Sequence, residues 1–304
     1  MYHVPVLAQA SLDLLVTDPG GTYVDATFGG GGHARLLLGR LGPGAKVYAF
    51  DQDPDAAANA AAVDDERLVF VAANFRHLRR YLRLYGEGRV DGVLADLGVS
   101  SHQFDEPARG FSYRYDAPLD MRMSQSPHVA TAAELLGRAD ADELQRIFGE
   151  YGEVRNARTL ARAIVERRGR HALRTTGDLV AVADALVRGQ RPRYLAQVFQ
   201  ALRIAVNDEL GALGAFLADA RAVVRPGGRL VVISYHSGED RLVKNVMKTG
   251  REDGRHDADE YGRIARPWSA VARKPLEAPA AETLHNPRAR SARLRAATRT
   301  DEET

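Results

Sequence analysis

Apolar positions between residues 20 and 100 fall into two alternating patterns, short continuous runs and longer stretches at helical spacing. Thr22 to Ala26, Lys46 to Asp51, Leu68 to Ala72 and Val90 to Ala95 read as strands, and 33–41, 54–63 and 75–84 read as helices between them. That alternation predicts βαβ units and a mostly parallel sheet, an α/β fold. A fifth strand, Arg229 to Ser234, follows the turn Pro226-Gly227-Gly228, about 130 residues after the fourth. A crossover needs only about a dozen. Helical periodicity fills the gap, with helices expected near 132–137, 140–149, 155–168 and 176–188, so an inserted helical subdomain is predicted rather than a long loop. Phe199, Leu202, Val206, Leu210 and Leu213 form one 3.6-residue stripe, and the helix carrying them is assigned to the core crossover. The expected division is a core of 1–104 with 196–304 and an insert of 105–195. Lys248 to Asp259 reads as a mobile polar loop and 300–304 as a disordered tail.

The most specific stretch lies between the first strand and its helix: Asp25-Ala26-Thr27-Phe28-Gly29-Gly30-Gly31-Gly32-His33. Glycines lack Cβ, so a run of four lets the backbone turn sharply and approach a ligand closely. Asp51 ends the second strand 20 residues after Gly31, where a doubly wound sheet puts a carboxylate beside the ribose of a bound adenosine. Ribose is common to dinucleotides and to S-adenosylmethionine, so an NAD-dependent oxidoreductase remains an alternative at this point. So does a non-catalytic RNA-binding factor.

Composition narrows the chemistry. The 304 residues hold no cysteine, which excludes thiolate zinc sites, disulfide frameworks and thiol nucleophiles, including the thiolate that adds to a pyrimidine ring during C5 methylation. An exocyclic amine or a hydroxyl remains available as a methyl acceptor. With 42 basic and 40 acidic residues the net charge is +2, so any nucleic-acid contact must come from local patches. No apolar run approaches the ~20 residues of a membrane span, and Met1 to Pro5 shows no leader pattern, so a soluble cytoplasmic protein is expected.

Other polar groups gather at the expected carboxyl edge of the sheet. Asp96 follows the fourth strand, where it can orient a cofactor or accept a hydrogen bond from a substrate amine, or merely cap a helix. Gln103 lies just downstream. Phe75, after the third strand, suits an adenine wall and a core anchor equally. Arg76, His77, Arg79, Arg80 and Arg83 form a basic cluster that reads first as a solvated helix face and second as a phosphate contact. Ser234-Tyr235-His236-Ser237-Gly238-Glu239-Asp240-Arg241 follows the fifth strand; Tyr235 and His236 can line a base pocket, and Ser237 with Asp240 reads as a capping box. In Asn286 to Arg295, the arginines 288, 290, 293 and 295 suit an edge strand facing RNA phosphate, or a charged edge that blocks aggregation.

Taken together these residues resemble the bacterial MraW/RsmH family of methyltransferases. The resemblance runs nearly end to end. It includes His3 to Leu7, Asp25 to His33, Asp51-Gln52-Asp53, Asp96 to Ser101 with Gln103, Arg109 to Ser112, Pro118 to Met123, Phe199 to Ile204, Ser234 to Arg241 and Asn286 to Arg295. Gly238 stands where the family usually has leucine and His102 where proline is common. The resemblance implies a Rossmann-like core with an inserted helical substrate-recognition subdomain. It also implies S-adenosylmethionine as cofactor, contacted by Gly31, Gly32, His33, Asp51, Phe75, Asp96 and Gln103, with no metal. The implied reaction is direct in-line methylation of the exocyclic N4 of a cytidine in the decoding region of 16S ribosomal RNA. Asp96, Ser234 and His236 are then the catalytic candidates, and Arg288, Arg290, Arg293 and Arg295 the RNA-binding ones. The partner is the RNA within an assembled or nearly assembled small subunit, and the enzyme can itself be a homodimer.

Overall fold

The computed structural model describes residues 5–256 and 264–301. His3 and Val4 of the amino-terminal motif, residues 257–259 of the expected loop and 302–304 of the expected tail lie outside them. The chain divides into two compact units, Met1–Gly98 with Leu210–Thr304, and Val99–Glu209.

The first unit is built on an eight-stranded sheet. Its strands are β1 (Thr22–Asp25), β2 (Lys46–Asp51), β3 (Leu68–Ala72), β4 (Val90–Asp96), β5 (Val224–Ser234), β6 (Trp268–Ala270), β7 (Leu276–Glu277) and β8 (Arg293–Arg299). The order is β3-β2-β1-β4-β5-β8-β6, with β7 also on β8. The first five strands are parallel and β8 runs antiparallel to β5, β6 and β7. Strands buried on both faces read as nearly continuous apolar runs, and Val90 to Ala95, apolar but for Asp91, is buried at every position.

Successive side chains of each strand feed opposite faces. Val24, Tyr48, Phe50, Val93, Val232 and Leu230 pack on one face, and Tyr23, Val47, Leu94, Val231 and Ile233 on the other. The helices of this unit are α1 (Ala8–Leu15), α2 (Gly32–Leu38), α3 (Pro54–Ala61), α4 (Leu78–Leu84), α11 (Glu209–Val223), α12 (Ser237–Thr249) and α13 (Ala280–His285). Leu78, Phe216 and Val246, from α4, α11 and α12, cover the first face; Leu12, Leu15 and Leu37, from α1 and α2, cover the second. The result is a doubly wound, Rossmann-like sheet.

The second unit is helical: α5 (Ser101–Asp105), α6 (Ala132–Arg138), α7 (Ala141–Arg146), a π-helical turn at Ile147–Tyr151, α8 (Ala157–Arg170), α9 (Thr176–Asp184) and α10 (Arg191–Asn207). Leu136, Leu144, Phe148, Leu160, Leu179 and Val198 form its core.

The expected division of 1–104 with 196–304 against 105–195 is shifted on both sides. The single helix assigned to the crossover is two helices, because Asp208 adopts the left-handed conformation at φ 48°, which Asp and Asn tolerate better than other side chains. Phe199 and Leu202, on α10, pack into the insert's own core, whereas Leu213, on α11, packs against the sheet. The apolar stripe continued in phase across a break that its periodicity did not mark.

Candidate active site at the carboxyl edge of the sheet

The loop after β1 is a hydrogen-bonded shelf. Asp51, at the end of β2, accepts from Gly29 N at 2.7 Å with Oδ2 and from Asp53 N at 2.8 Å with Oδ1. Burial raises its pKa, offset by these two bonds. Gly31 is in the left-handed region at φ 77°, and a Cβ there would lie 2.7 Å from the Phe28 ring. A Cβ on Gly32 would meet Pro5 at 3.1 Å. Gly31 is therefore required by the chain's own packing, apart from any ligand, whereas a side chain at Gly32 would need Pro5 to shift by a few tenths of an ångström.

Four ionisable side chains converge beneath this shelf. Asp25 is buried, its Oδ1 accepting from Thr27 N at 3.1 Å and its Oδ2 having no hydrogen-bond partner among the described residues. Burial raises its pKa to about 6; His33 and the Thr27 N–H pull it down, and Asp96 and Asp51 push it up. His33 is buried as well, with Nε2 3.2 Å from Val6 O, and burial lowers its pKa. A neutral ring makes the 3.8 Å approach of Nδ1 to Asp96 Oδ2 a contact rather than an ion pair.

Asp96 closes β4. Its backbone N donates to Thr27 Oγ1 at 2.7 Å, tying the glycine loop to this strand. Its Oδ1 accepts from the Tyr235 hydroxyl at 2.7 Å, while Oδ2 makes no hydrogen bond among the described residues. Burial raises the Asp96 pKa to about 7, the Tyr235 bond pulling it down and Glu239 pushing it up. The side chain nevertheless keeps 21% of its surface exposed, so a ligand can reach Oδ2. Burial and the neighbouring Asp96 keep Tyr235 protonated, hence a donor.

Tyr235 was not among the expected catalytic residues. The signal for it is register: β4 and β5 are parallel neighbours with Asp96 opposite Ile233, so the residues that follow β5 arrive beside Asp96. Asp25 belonged to the glycine motif, yet its buried, unpaired oxygen is a property of packing that no sequence pattern carries.

Several expected residues have structural duties. Ser234 Oγ donates to Arg293 O at 3.4 Å, bridging β5 to β8. The capping box of α12 is His236 with Glu239 rather than Ser237 with Asp240: His236 Nδ1 accepts from Glu239 N at 3.4 Å, and Glu239 Oε2 accepts from His236 N and Tyr235 N. Asp240 instead binds two of the expected RNA-binding arginines, Arg295 Nε at 2.7 Å and Arg293 Nη1 at 3.2 Å. Burial would raise its pKa, but the two guanidinium groups lower it overall.

The expected edge strand over 286–295 is also replaced. Pro287–Ser291 is a 3-10 turn capped by Asn286, carrying Arg288 half-buried and Arg290 exposed, and β8 lies inside the sheet between β5 and β6. Phe75 packs edge-to-face on Phe216 with ring centroids 5.2 Å apart, the core-anchor arrangement. In the insert, Gln103 is buried and its Oε1 accepts from Ser100 N at 3.0 Å, completing the capping box of α5.

The insert's motif residues Pro118 to Met123 form a brace with Asn207. Asp120 and Arg122 pair through two bonds of 2.8 and 2.9 Å. Asn207 Oδ1 accepts from Met123 N at 2.7 Å, and its Nδ2 donates to Met121 O at 2.8 Å. Gly110, at φ 71°, lies so close to the backbone of Pro118 and Asp120 that no Cβ fits.

A doubly wound sheet with a glycine loop after β1 and carboxylates closing β1, β2 and β4 defines a nucleotide-cofactor protein of the Rossmann-like class. The particular group follows from comparison: the family model of the MraW methylase family matches residues 1–300, and the chain belongs to that family. It is a methyltransferase. It is 50% identical over 298 residues to "Ribosomal RNA small subunit methyltransferase H" of Phocaeicola vulgatus, covering 98% of this chain and 97% of that one. The protein of the same name from Cytophaga hutchinsonii is 50% identical over 300 residues, covering 98% and 100%. Among solved structures, an rRNA methylase from Streptococcus thermophilus aligns with a TM-score of 0.39 at 13% identity, covering 97% of this chain and 94% of that one. No helix among the described residues is long and apolar enough to cross a membrane.

Proposed function

We propose that the protein methylates the exocyclic N4 of a cytidine in the decoding region of 16S ribosomal RNA by direct in-line transfer. The methyl donor is S-adenosylmethionine, which supplies an electrophilic methyl group on a sulfonium centre. The residues present fit such a donor: Asp51 has remaining lone pairs for ribose hydroxyls, and Asp25 Oδ2 is a buried acceptor without a partner among the described residues.

The observation that carries the reading is Asp96. An exocyclic amine is a poor nucleophile because its lone pair is delocalised into the ring, so the site must hold its N–H and favour a pyramidal nitrogen. Asp96 Oδ2 is reachable and uncommitted, while Oδ1 is fixed by Tyr235. The ionised carboxylate accepts the amine N–H through Oδ2; the N–C bond forms as the donor's S–C bond breaks to leave a neutral thioether, and the proton then passes from N4 to the Asp96 carboxylate. Tyr235 sets the carboxylate's orientation and favours its ionised form. Ser234 and His236 shape the β5–α12 corner that carries Tyr235. The substrate class is supported by the names of the two relatives, each a small-subunit ribosomal RNA methyltransferase. The insert supplies substrate recognition, and the substrate is the RNA within an assembled or nearly assembled subunit in the cytoplasm.

The test uses small subunits from a strain lacking this gene, incubated with the protein and labelled S-adenosylmethionine, followed by nucleoside mass spectrometry. N4-methylcytidine at one site is expected. A methyl group on another atom, or no label in RNA, overturns the reading.

A further inference from the structure

The basic cluster after β3 lines a groove with few acidic partners. Arg76, Arg79, Arg80 and Arg83 recur at i, i+3, i+4 and i+7, so they share one face of the 3-10 turn Phe75–His77 and α4, while Leu78 and Leu82 on the other face enter the core. With His77 and Asp219 of α11 they line a groove of about 560 Å³. His77, Arg79, Arg80 and Arg83 are exposed, and among the described residues the side chains of Arg79, Arg80 and Arg83 make no ion pair. The one acid in the groove, Asp219, accepts from Arg79 N at 3.0 Å, which commits it to the helix backbone. The carboxyl-terminal pair Arg293 and Arg295 contrasts with this, being held by Asp240.

We propose that this groove binds the phosphate backbone of the RNA substrate, which places the electrostatic grip on α4 rather than on Arg293 and Arg295. The inference rests on the ribosomal RNA reading above. Three observations carry it. The groove is lined by charged and imidazole side chains alone, whereas the core of a protein–protein interface is depleted of charge and enriched in aromatics, and nucleic-acid interfaces are polar and positive. Its positive groups outnumber its single, committed acid. Its Arg76 end lies near the active edge, because the turn starts three residues after Ala72, and Ala72 pairs with Asp51 at the carboxyl ends of β3 and β2. Strand-like RNA lying along α4 thus meets three levels of guanidinium, Arg76, the Arg79 and Arg80 pair, and Arg83, about 5 Å apart at the helical rise of about 1.5 Å per residue.

The experiment compares the full-length wild type with Arg79→Gln/Arg80→Gln/Arg83→Gln, with the matching triple lysine variant, and with Arg83→Gln alone. Binding to a naked small-subunit RNA fragment and to the isolated subunit is measured between 50 and 300 mM salt, with S-adenosylmethionine affinity and melting temperature followed in parallel. Each phosphate contact on a single strand contributes about 0.7 to the slope of log affinity against log salt. The triple glutamine variant is expected to lose about 2 from that slope and on the order of 10- to 100-fold in RNA affinity at physiological salt. The lysine variant is expected to keep the slope, the single variant to lose about a third as much, and cofactor affinity to stay unchanged. An unchanged slope in the glutamine variant overturns the proposal, as does a lysine variant that loses as much as the glutamine one. A defect with the assembled subunit that leaves the salt slope unchanged overturns it in favour of a protein partner. A wild type that binds RNA through this groove yet transfers no methyl group leaves the groove standing and removes the proposed function instead. Glutamine is a good helix former, so the exposed substitutions leave α4 folded, and the single variant reads the same slope if the triple one does not express.

Discussion

The sheet edge and the insert's brace both bury polar side chains, and they treat them in opposite ways. At the edge, Asp25 and Asp96 are pushed up to about 6 and about 7 by burial, and each presents an oxygen that no neighbour satisfies. In the brace, burial also pushes Asp120 up, but the bidentate Arg122 outweighs it and holds the carboxylate below its ordinary value, while Asn207 spends both ends of its amide on backbone. A buried polar group left short of partners costs stability, so its retention calls for an explanation, and a bound ligand that completes the bond is one. On the proposed function, the difference separates Asp96, held for a ligand, from Asp120 and Asn207, held for the fold.

The contrast can be broken most sharply at Asp96. Asp96→Ala is expected to lower methyl transfer on the order of 10²- to 10³-fold, the usual loss for one electrostatic contact at a reacting centre, with the melting temperature unchanged or raised. Near-normal turnover, or a collapse of the fold, would place Asp96 with the structural residues.

Asn207→Ala should do the reverse. Losing its hydrogen bonds to Met121 and Met123 is expected to cost the insert about 2 kcal/mol, read as faster hydrogen exchange there, with cofactor affinity retained.

Tyr235→Phe lies between the two. Removing the hydroxyl leaves the packing but takes away the bond that lowers the Asp96 pKa, so turnover should fall about tenfold, equivalent to about 1.4 kcal/mol, and the acidic limb of its pH profile should move upward. A drop without any movement of that limb would reduce Tyr235 to a packing residue.

The smallest effect is thermodynamic. A carboxylate whose folded pKa stands above its unfolded value binds more protons when folded, so stability falls as pH rises from about 4 towards 7 and then levels off. Asp96→Asn should flatten that decline in melting temperature between pH 5 and 7. Asp120→Asn should leave it intact, since Asp120 is shifted the other way and contributes stability that is lost only as pH falls below its unfolded value.

Apolar runs and glycine turns made β1 to β4 and the helices of the insert legible, because burial on both sheet faces and on one helix face leaves a periodic trace. The split between α10 and α11 left none, since one left-handed residue interrupts a stripe without changing its phase. At the candidate site, Asp51 and Asp96 were readable from their positions at strand ends. The Tyr235–Asp96 bond was not, because it depends on which strands are neighbours. The fate of the arginines was least readable: whether a guanidinium meets an acid, as Arg295 does with Asp240, or faces an open groove, as Arg83 does, is decided by tertiary neighbours alone.

The position of β8 has a consequence for how the chain is made. This strand lies inside the sheet and is antiparallel to β5, yet Arg293 is synthesised 59 residues after Ser234. At typical bacterial elongation rates that is an interval of roughly 3 to 12 seconds. Throughout it, the hydrogen-bonding edge of β5 stands open on a nascent chain, a template for mispairing with any extended segment nearby. The sheet unit can close only late in translation.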